Sequence, residues 1–403
     1  MKYLIFRKFS FNHIYFLLYA IFVLAQKILK DNLKGDKIAK EFFNIYLVII
    51  SRLLSFIPYL IYKKLSKTMR EKKENKLKVD IKYMYTNKTK KTKKNIAKYS
   101  FIVAIFEFIA EIVRSIFYFF NNDFSFSNYQ LEIIFIFNTV TVYFGSYFIL
   151  HYHFYKHHYL SFWVNLACLI AFLIIDIIEL IKNKISQYPF YILSFIKLLK
   201  LILMSIKDVY SKKVLFENYM STFTLMLITG LYELLFLAFY TIPFIFIKVK
   251  NKPQIIFIDF IEFLRGTQLI LSLSILICKF AYALFLLIII DKFSPSHLPL
   301  SFILYSFFDN IYFIIKNAVN HNKNEYYLFI NFVFYIILFI ASMIHNEIII
   351  INKCGLNTNT KMFLDIKLNE EIKDYILPND DENIPENRAS INENIIPMVE
   401  IRP

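Results

Sequence analysis

Turn-forming residues are scarce in this chain. Its 403 residues include 5 glycines and 10 prolines, and a soluble fold of this length needs many more to reverse direction. Helices that span a bilayer satisfy their own backbone groups and need few turns. Cysteine is equally sparse. Cys168, Cys278 and Cys354 lie far apart, two of them inside apolar runs, which excludes a disulfide framework and the paired spacing of a zinc site. The pattern GxxxxGK[ST] is absent, so no P-loop is present to bind ATP. One tryptophan stands against 46 phenylalanines and 29 tyrosines. That imbalance, with abundant Ile, Asn and Lys, is what AT-rich codons produce, and it says little about function.

Apolar length is what the chain has in quantity. Hydrophobic residues make up 57% and the mean hydropathy is +0.48. Ten runs reach or approach the ~20 residues that a helix needs to cross a bilayer: 12–29, 42–62, 99–120, 130–151, 159–181, 189–207, 220–247, 267–290, 299–316 and 327–351. Basic residues precede the first (Lys2, Arg7, Lys8). No small-residue cleavage site follows, so it reads as a membrane helix and not a signal peptide. The stretch 253–265 is too short and charged to cross and suits an interfacial helix.

Residues 63–98 carry 15 Lys or Arg, the strongest cytoplasmic signal by the positive-inside rule. The next joint, "NNDFSFSNYQLE", has none. Both termini then face the cytoplasm. Lys30, Lys34, Lys37 and Lys40 in the joint before span two run against this orientation. Beyond about residue 365 the chain turns polar, acidic and Pro-interrupted, a composition that buries no core and predicts a disordered cytoplasmic tail.

Four of the eight histidines crowd into "HYHFYKHH": His151, His153, His157 and His158. The spacing has the look of a histidine box from a membrane di-iron enzyme. Such a centre needs several boxes, because two irons take many imidazole ligands. His13, His297, His321 and His345 stand singly, far apart in sequence. A lone metal ion on His153, His157 and His158 is the weaker alternative. The favoured reading is a basic elbow between two spans, with Tyr152, Tyr155 and Tyr159 in the aromatic belt.

Ionisable residues inside spans are costly and tend to line cavities or pair with one another. Arg52 lies mid-span beside Ser51 and Ser55. Glu107, Glu111 and Arg114 share one face of span three. Span four has Asn138, Thr139 and Thr141, span five ends with Asp176 and Glu179, span six carries Lys197 and Lys200, and Lys279 interrupts span eight. Arg52, Glu107 and Lys279 rank first as substrate-cavity residues because nothing in their own helices neutralises them. Asn138 and Lys197 complete the candidate set. Arg52 and Lys279 would contact an anionic group, with Glu107 as counter-charge or proton-coupling site.

Three stretches resemble the drug/metabolite transporter superfamily, its nucleotide-sugar-transporter-like (EamA-like) branch in particular. "YFGSYFILHYHFYKHHYLSFWVNLACLIAFLI" (143–174) looks like the joint between its fourth and fifth helices. "KDVYSKKVLFENYMSTFTLMLITGLYELLF" (207–236) is similar to its sixth-to-seventh joint, with Asp208, Lys212, Lys213 and Gly230 in place. "LLIIIDKFSPSHLPLSF" (286–302) resembles the joint after the eighth, with Ser294, Pro295 and His297. Thr229 and Glu233 depart from that pattern, as does Leu298. The resemblance implies two five-helix halves in inverted orientation, 1–183 and 184–352, with a substrate site between them and a tail over 353–403.

The expectation is therefore an all-α, multi-pass protein of an endomembrane or the plasma membrane. It would be a transporter, not an enzyme, moving a small polar, anionic, nucleotide-sugar-like metabolite by alternating access. Expected partners are the lipid bilayer, the small-molecule substrate and a second copy of the chain as a candidate homodimer, with no nucleic acid, metal or other cofactor. The alternative is a non-transporting membrane scaffold, in which the buried charges pair off and leave no water-filled cavity.

Overall fold

The computed structural model describes residues 4–6, 13–34, 37–61, 64, 82–124, 134–152, 154–182, 187–217, 220–246, 263–319, 325–351, 353, 356 and 360. The interfacial helix expected over 253–265 falls mostly outside them, as does nearly all of the tail.

Among the described residues the chain is mostly helical. Its ten principal helices are α1 (Ile14–Asp31), α2 (Lys37–Leu53), α3 (Lys82–Phe124), α4 (Ile134–Leu150), α5 (Lys156–Lys182), α6 (Gln187–Glu217), α7 (Thr222–Phe246), α8 (Gly266–Lys292), α9 (Leu298–Val319) and α10 (Glu325–His345). Three helical stretches are long and apolar enough to cross a membrane: Phe43–Ile61, Thr222–Thr241 and Gly266–Lys292. Large apolar side chains such as Phe148, Trp163, Phe195, Phe239, Ile270 and Ile277 face outward. A surface of this kind suits lipid better than water.

Helix ends depart from the sequence expectation where local chemistry intervenes. α2 breaks at Leu54–Ser55 and resumes over 56–61. Pro58 has no N–H to donate back to the Leu54 carbonyl, and the chain tightens there: Ser55 N–H donates to Arg52 O at 2.9 Å and Ile57 N–H to Leu54 O at 3.2 Å. Residues 82–98, read as part of a basic loop, instead extend α3 to 43 residues, about 65 Å at 1.5 Å per residue. That exceeds the ~30 Å hydrocarbon thickness twofold. α10 stops at His345, short of the expected 351, and closes in a Schellman motif. Ile348 N–H donates to Met343 O (2.9 Å) and Glu347 N–H to Ile344 O (3.1 Å), with Glu347 at φ +55°, where glycine is usual.

The all-α expectation missed one element. β1 (Leu4–Phe6) pairs antiparallel with β2 (Ile349–Ile351), Ile5 opposite Ile350. This clip joins the segment before α1 to the segment after α10. It is too short for its alternation to be read from sequence.

The helices run up and down. The start of α1, the α4–α5 and α8–α9 joints and the end of α10 meet at one end, through His13–Phe293, His158–His345 and His297–His345 ring contacts. At the same end Tyr99 of α3 lies beside Tyr210 of α6, ring centroids 6.1 Å apart, and Lys212 of α6 donates to Asp291 O and Phe293 O (2.9 and 3.0 Å). At the opposite end Lys34, after α1, donates its N–H to Gln268 Oε1 at the start of α8 (3.1 Å). The largest core cluster lies between α1, α6, α7, α8 and α9, around Phe16, Val214, Leu225, Ile289 and Leu298.

Candidate functional site

α6 and α8 are each enclosed by several other helices. α6 packs on α3, α4, α7 and α8, and α8 on α1, α2, α6, α7 and α9. Ionisable side chains buried between helices must be partnered from neighbouring helices or remain at a cost.

The first group forms around Arg52. It pairs with Glu107 of α3 and with Glu233 of α7, and all three side chains are buried. Lys207 lies 3.7 Å from Glu107 and 2.8 Å from Asp208, so a chain of alternating charge crosses α2, α3, α6 and α7. Gly230 makes this approach possible. A Cβ there would sit 2.9 Å from the Arg52 Cβ and 3.4 Å from the Leu53 backbone nitrogen. Without a side chain at 230, α7 closes on α2, and Glu233 one turn later meets the guanidinium. The break at Leu54–Ser55 lies just beyond Arg52.

The second group gathers around Lys279, near the middle of α8. Lys279 is fully buried, and its Nζ has no hydrogen-bond partner. Lys30, Glu41, Glu111 and Arg114 lie within electrostatic reach of it, and Lys200 of α6 interacts with the same four side chains. Lys30 pairs with Glu41, and Arg114 with Glu111 at 2.6 Å. Four basic side chains thus face two carboxylates. Tyr282, one turn after Lys279, is in reach of Glu111, Arg114, Arg52 and Lys207 and so lies between the two groups.

Arg52 and Glu107, singled out because nothing in their own helices balances them, are balanced from other helices. Lys279 has no such partner. Lys197 is buried and sets its Nζ over the Phe117 ring, 5.8 Å from the centroid. The side chain of Asn138 lies outside the described residues, as do those of Asp176 and Glu179. Thr141 meets Ser205 Oγ at 2.5 Å and joins α4 to α6. Asp309 of α9 pairs with Lys27 at 2.6 Å. Sequence reasoning did not select Glu233, Lys207, Asp208, Glu41 or Tyr282 as site residues. A carboxylate at 233 inside an apolar run was the available signal. Lys207 and Asp208 fell at the margin of a span, where charges are ordinary.

The histidines regroup as well. His157 and His158 at the start of α5 lie with centroids 4.0 Å apart, His158 is 4.6 Å from His345, and His345 is 5.1 Å from His297. Three of these four residues come from segments far apart in sequence, so the isolation of His297 and His345 in the sequence did not carry into space. His153 and His321 lie outside the described residues, and His151 is exposed at φ +55°. Among the described residues no three His, Cys, Asp or Glu side chains converge on a position for one metal ion. No protein-family model and no curated protein sequence matches the chain.

Proposed function

We propose that the chain is a multi-pass membrane transporter of the drug/metabolite type, moving a small, polar, anionic, nucleotide-sugar-like metabolite by alternating access. The observation that carries this reading is Lys279. A lysine fully buried near the middle of a helix apolar enough to cross a bilayer, with its Nζ unpartnered, costs stability unless a ligand supplies the missing acceptors. Lys30, Lys200 and Arg114 around it outnumber Glu41 and Glu111, which favours an anion. The Arg52 group ties helices from the two parts of the chain together, with Glu107 as counter-charge.

Helix packing supports the two inverted halves. Exchanging each helix with the one five places along maps α3·α6 onto α8·α1, α4·α6 onto α9·α1, α4·α5 onto α9·α10, α3·α7 onto α8·α2 and α2·α3 onto α7·α8. The pairs α2·α7, α4·α9 and α5·α10 map onto themselves. Three smaller contacts, α6·α8, α6·α7 and α8·α9, lack a counterpart. Helices related by an odd number of crossings run oppositely, so this pseudo-symmetry fits inverted repeats with a midplane site between them. Both termini lie on the cytoplasmic side in this reading, in an endomembrane or the plasma membrane, and a homodimer is compatible with it.

A scaffold without transport is the second reading. The pairing of Arg52, Glu107, Glu233, Lys207 and Asp208 favours it, since a site that needs no ligand is expected to balance its charges. Uptake into liposomes distinguishes the two. The full chain is reconstituted and offered radiolabelled nucleotide sugars and sugar phosphates, with uncharged sugars as controls. Transport predicts accumulation of an anionic member that Lys279→Met abolishes. If no anion accumulates, and Lys279→Met keeps full biological activity, the transporter reading fails and the scaffold stands.

A further inference from the structure

The histidine stack is not used by the charge network, and its arrangement points to a different ligand. We propose that His13, His157, His158, His297 and His345 form a proton-binding clasp that holds one end of the bundle closed and releases it when acid loads the imidazoles.

The clasp joins four separate parts of the fold. His13 precedes α1, His157 and His158 open α5, His297 lies in the turn between α8 and α9, and His345 ends α10. The rings follow one another in a line, 157–158–345–297, and Phe293 stands between His297 and His13 at 5.7 and 5.6 Å. A line of neutral rings packs well, whereas a line of imidazolium ions at these separations repels itself. Neutral acceptors and donors hold the rings in place. Tyr143 shares a short hydrogen bond with His345 Nδ1 and donates to His158 O at 3.1 Å. Tyr155 N–H donates to His158 Nδ1 at 3.1 Å, and Ser294 Oγ lies 2.7 Å from His297 Nδ1.

Among the described residues, Lys212 and Glu347 face the stack from other elements. Lys212 of α6 opposes protonation of His297, and Glu347, after α10, favours it. Glu347 also lies 3.5 Å from His157 Nε2, while His157 Nδ1 is buried without a hydrogen-bond partner. The carboxylate is held there by a non-glycine residue at φ +55°, a conformation that costs a residue with a Cβ and marks positions where the side chain matters. It is a counter-charge set beside the stack.

The pH direction follows from burial. Desolvation and the neighbouring rings lower His158 from 6.5 to about 2, and desolvation lowers His297 to about 4. Both pKa values are depressed in the closed arrangement, so the closed form is fully favoured above about pH 6.5 and loses ground as pH falls. Between about pH 6.5 and 4 only the open form takes up these two protons, and the open-to-closed ratio rises up to about 100-fold per pH unit.

The chain carries its own reporter. Trp163, the single tryptophan, contacts Phe162 (5.6 Å), which contacts Tyr143 (5.3 Å) beside His345. Its fluorescence is followed in lipid nanodiscs from pH 7.5 to 4, together with hydrogen exchange of residues 293–298 corrected for the chemical rate. The clasp predicts a reversible transition in both signals with a slope near two protons. In a His158→Phe/His297→Phe variant, which keeps the rings, the slope falls below one. Flat signals in the wild-type protein overturn the proposal, as does an unchanged slope in a folded double variant. If the double variant does not fold, the wild-type exchange data decide alone: opening at 293–298 on acidification supports the clasp, and its absence refutes it. Neither readout requires transport, so this outcome is independent of the liposome result.

Discussion

Replacing Arg52 with leucine should be among the most damaging single changes in the molecule. Arg52 is the shared cation of Glu107 and Glu233, and its side chain is 8% exposed, against 10% and 2% for its partners. At an effective dielectric of about 20, a unit pair 4 Å apart is worth about 4 kcal/mol. Removing one partner of a buried pair costs about 3–5 kcal/mol, because the remaining charge is left uncompensated. Arg52→Leu leaves two carboxylates facing each other, with only Lys207, 3.7 Å from Glu107, to offset them. A loss of about 4 kcal/mol is expected, read from unfolding by a graded denaturing detergent in mixed micelles. The decisive comparison is Arg52→Leu/Glu107→Gln/Glu233→Gln, which removes the charge together with its partners. It should recover at least half of the loss, since a neutral set of similar volume carries little desolvation penalty. If Arg52→Leu is within about 0.5 kcal/mol of wild type, or if the triple variant is no more stable than the single one, the three residues do not act as one buried network.

Other changes test neighbouring parts of the same reasoning. Gly230→Ala puts a Cβ within 2.9 Å of the Arg52 Cβ and should destabilise by about 1–3 kcal/mol through overpacking in the same unfolding assay. Gly145→Ala meets only the Val209 methyl at 3.0 Å, and a thermal melt should show a smaller change because one side chain can shift. Lys279→Met removes a buried amino group without a hydrogen-bond partner and should raise thermal stability without ligand, while abolishing any stabilisation by anions. A melt in which wild type and Lys279→Met respond equally to anions would exclude Lys279 from binding. Glu347→Gly relieves the left-handed backbone and should leave the closed protein at least as stable at pH 7.5 by the same melt, because burial keeps His297 uncharged at that pH and the carboxylate has no charge there to pair with.

Much of the helical plan was legible because apolar length is a local property. Ten runs were marked and each falls on one of the ten helices, since a run of about 20 apolar residues with few glycines has no competing conformation. Local chemistry also warned of the Pro58 break, although the sequence reading passed over it. The strand clip was not legible: two three-residue segments, one before α1 and one after α10, carry no periodicity. The extension of α3 was missed because a dense basic run looks like a loop when only apolar pattern is weighed.

The sequence by itself determined which residues are too polar for their surroundings: Arg52, Glu107 and Lys279 among apolar neighbours, and histidines in unusual number near residue 155. Tertiary structure decided their partners. Arg52 was unbalanced along its helix and became balanced by Glu107 and Glu233, because α3 and α7 close on α2 at Gly230. Lys279 was unbalanced along its helix and has no partner at Nζ. His297 and His345, isolated in sequence, joined His158 because the joints of an up-and-down bundle gather at the same end. Pairing energies depend on distances between helices, and those distances are set by packing across the whole chain. No window of sequence contains them.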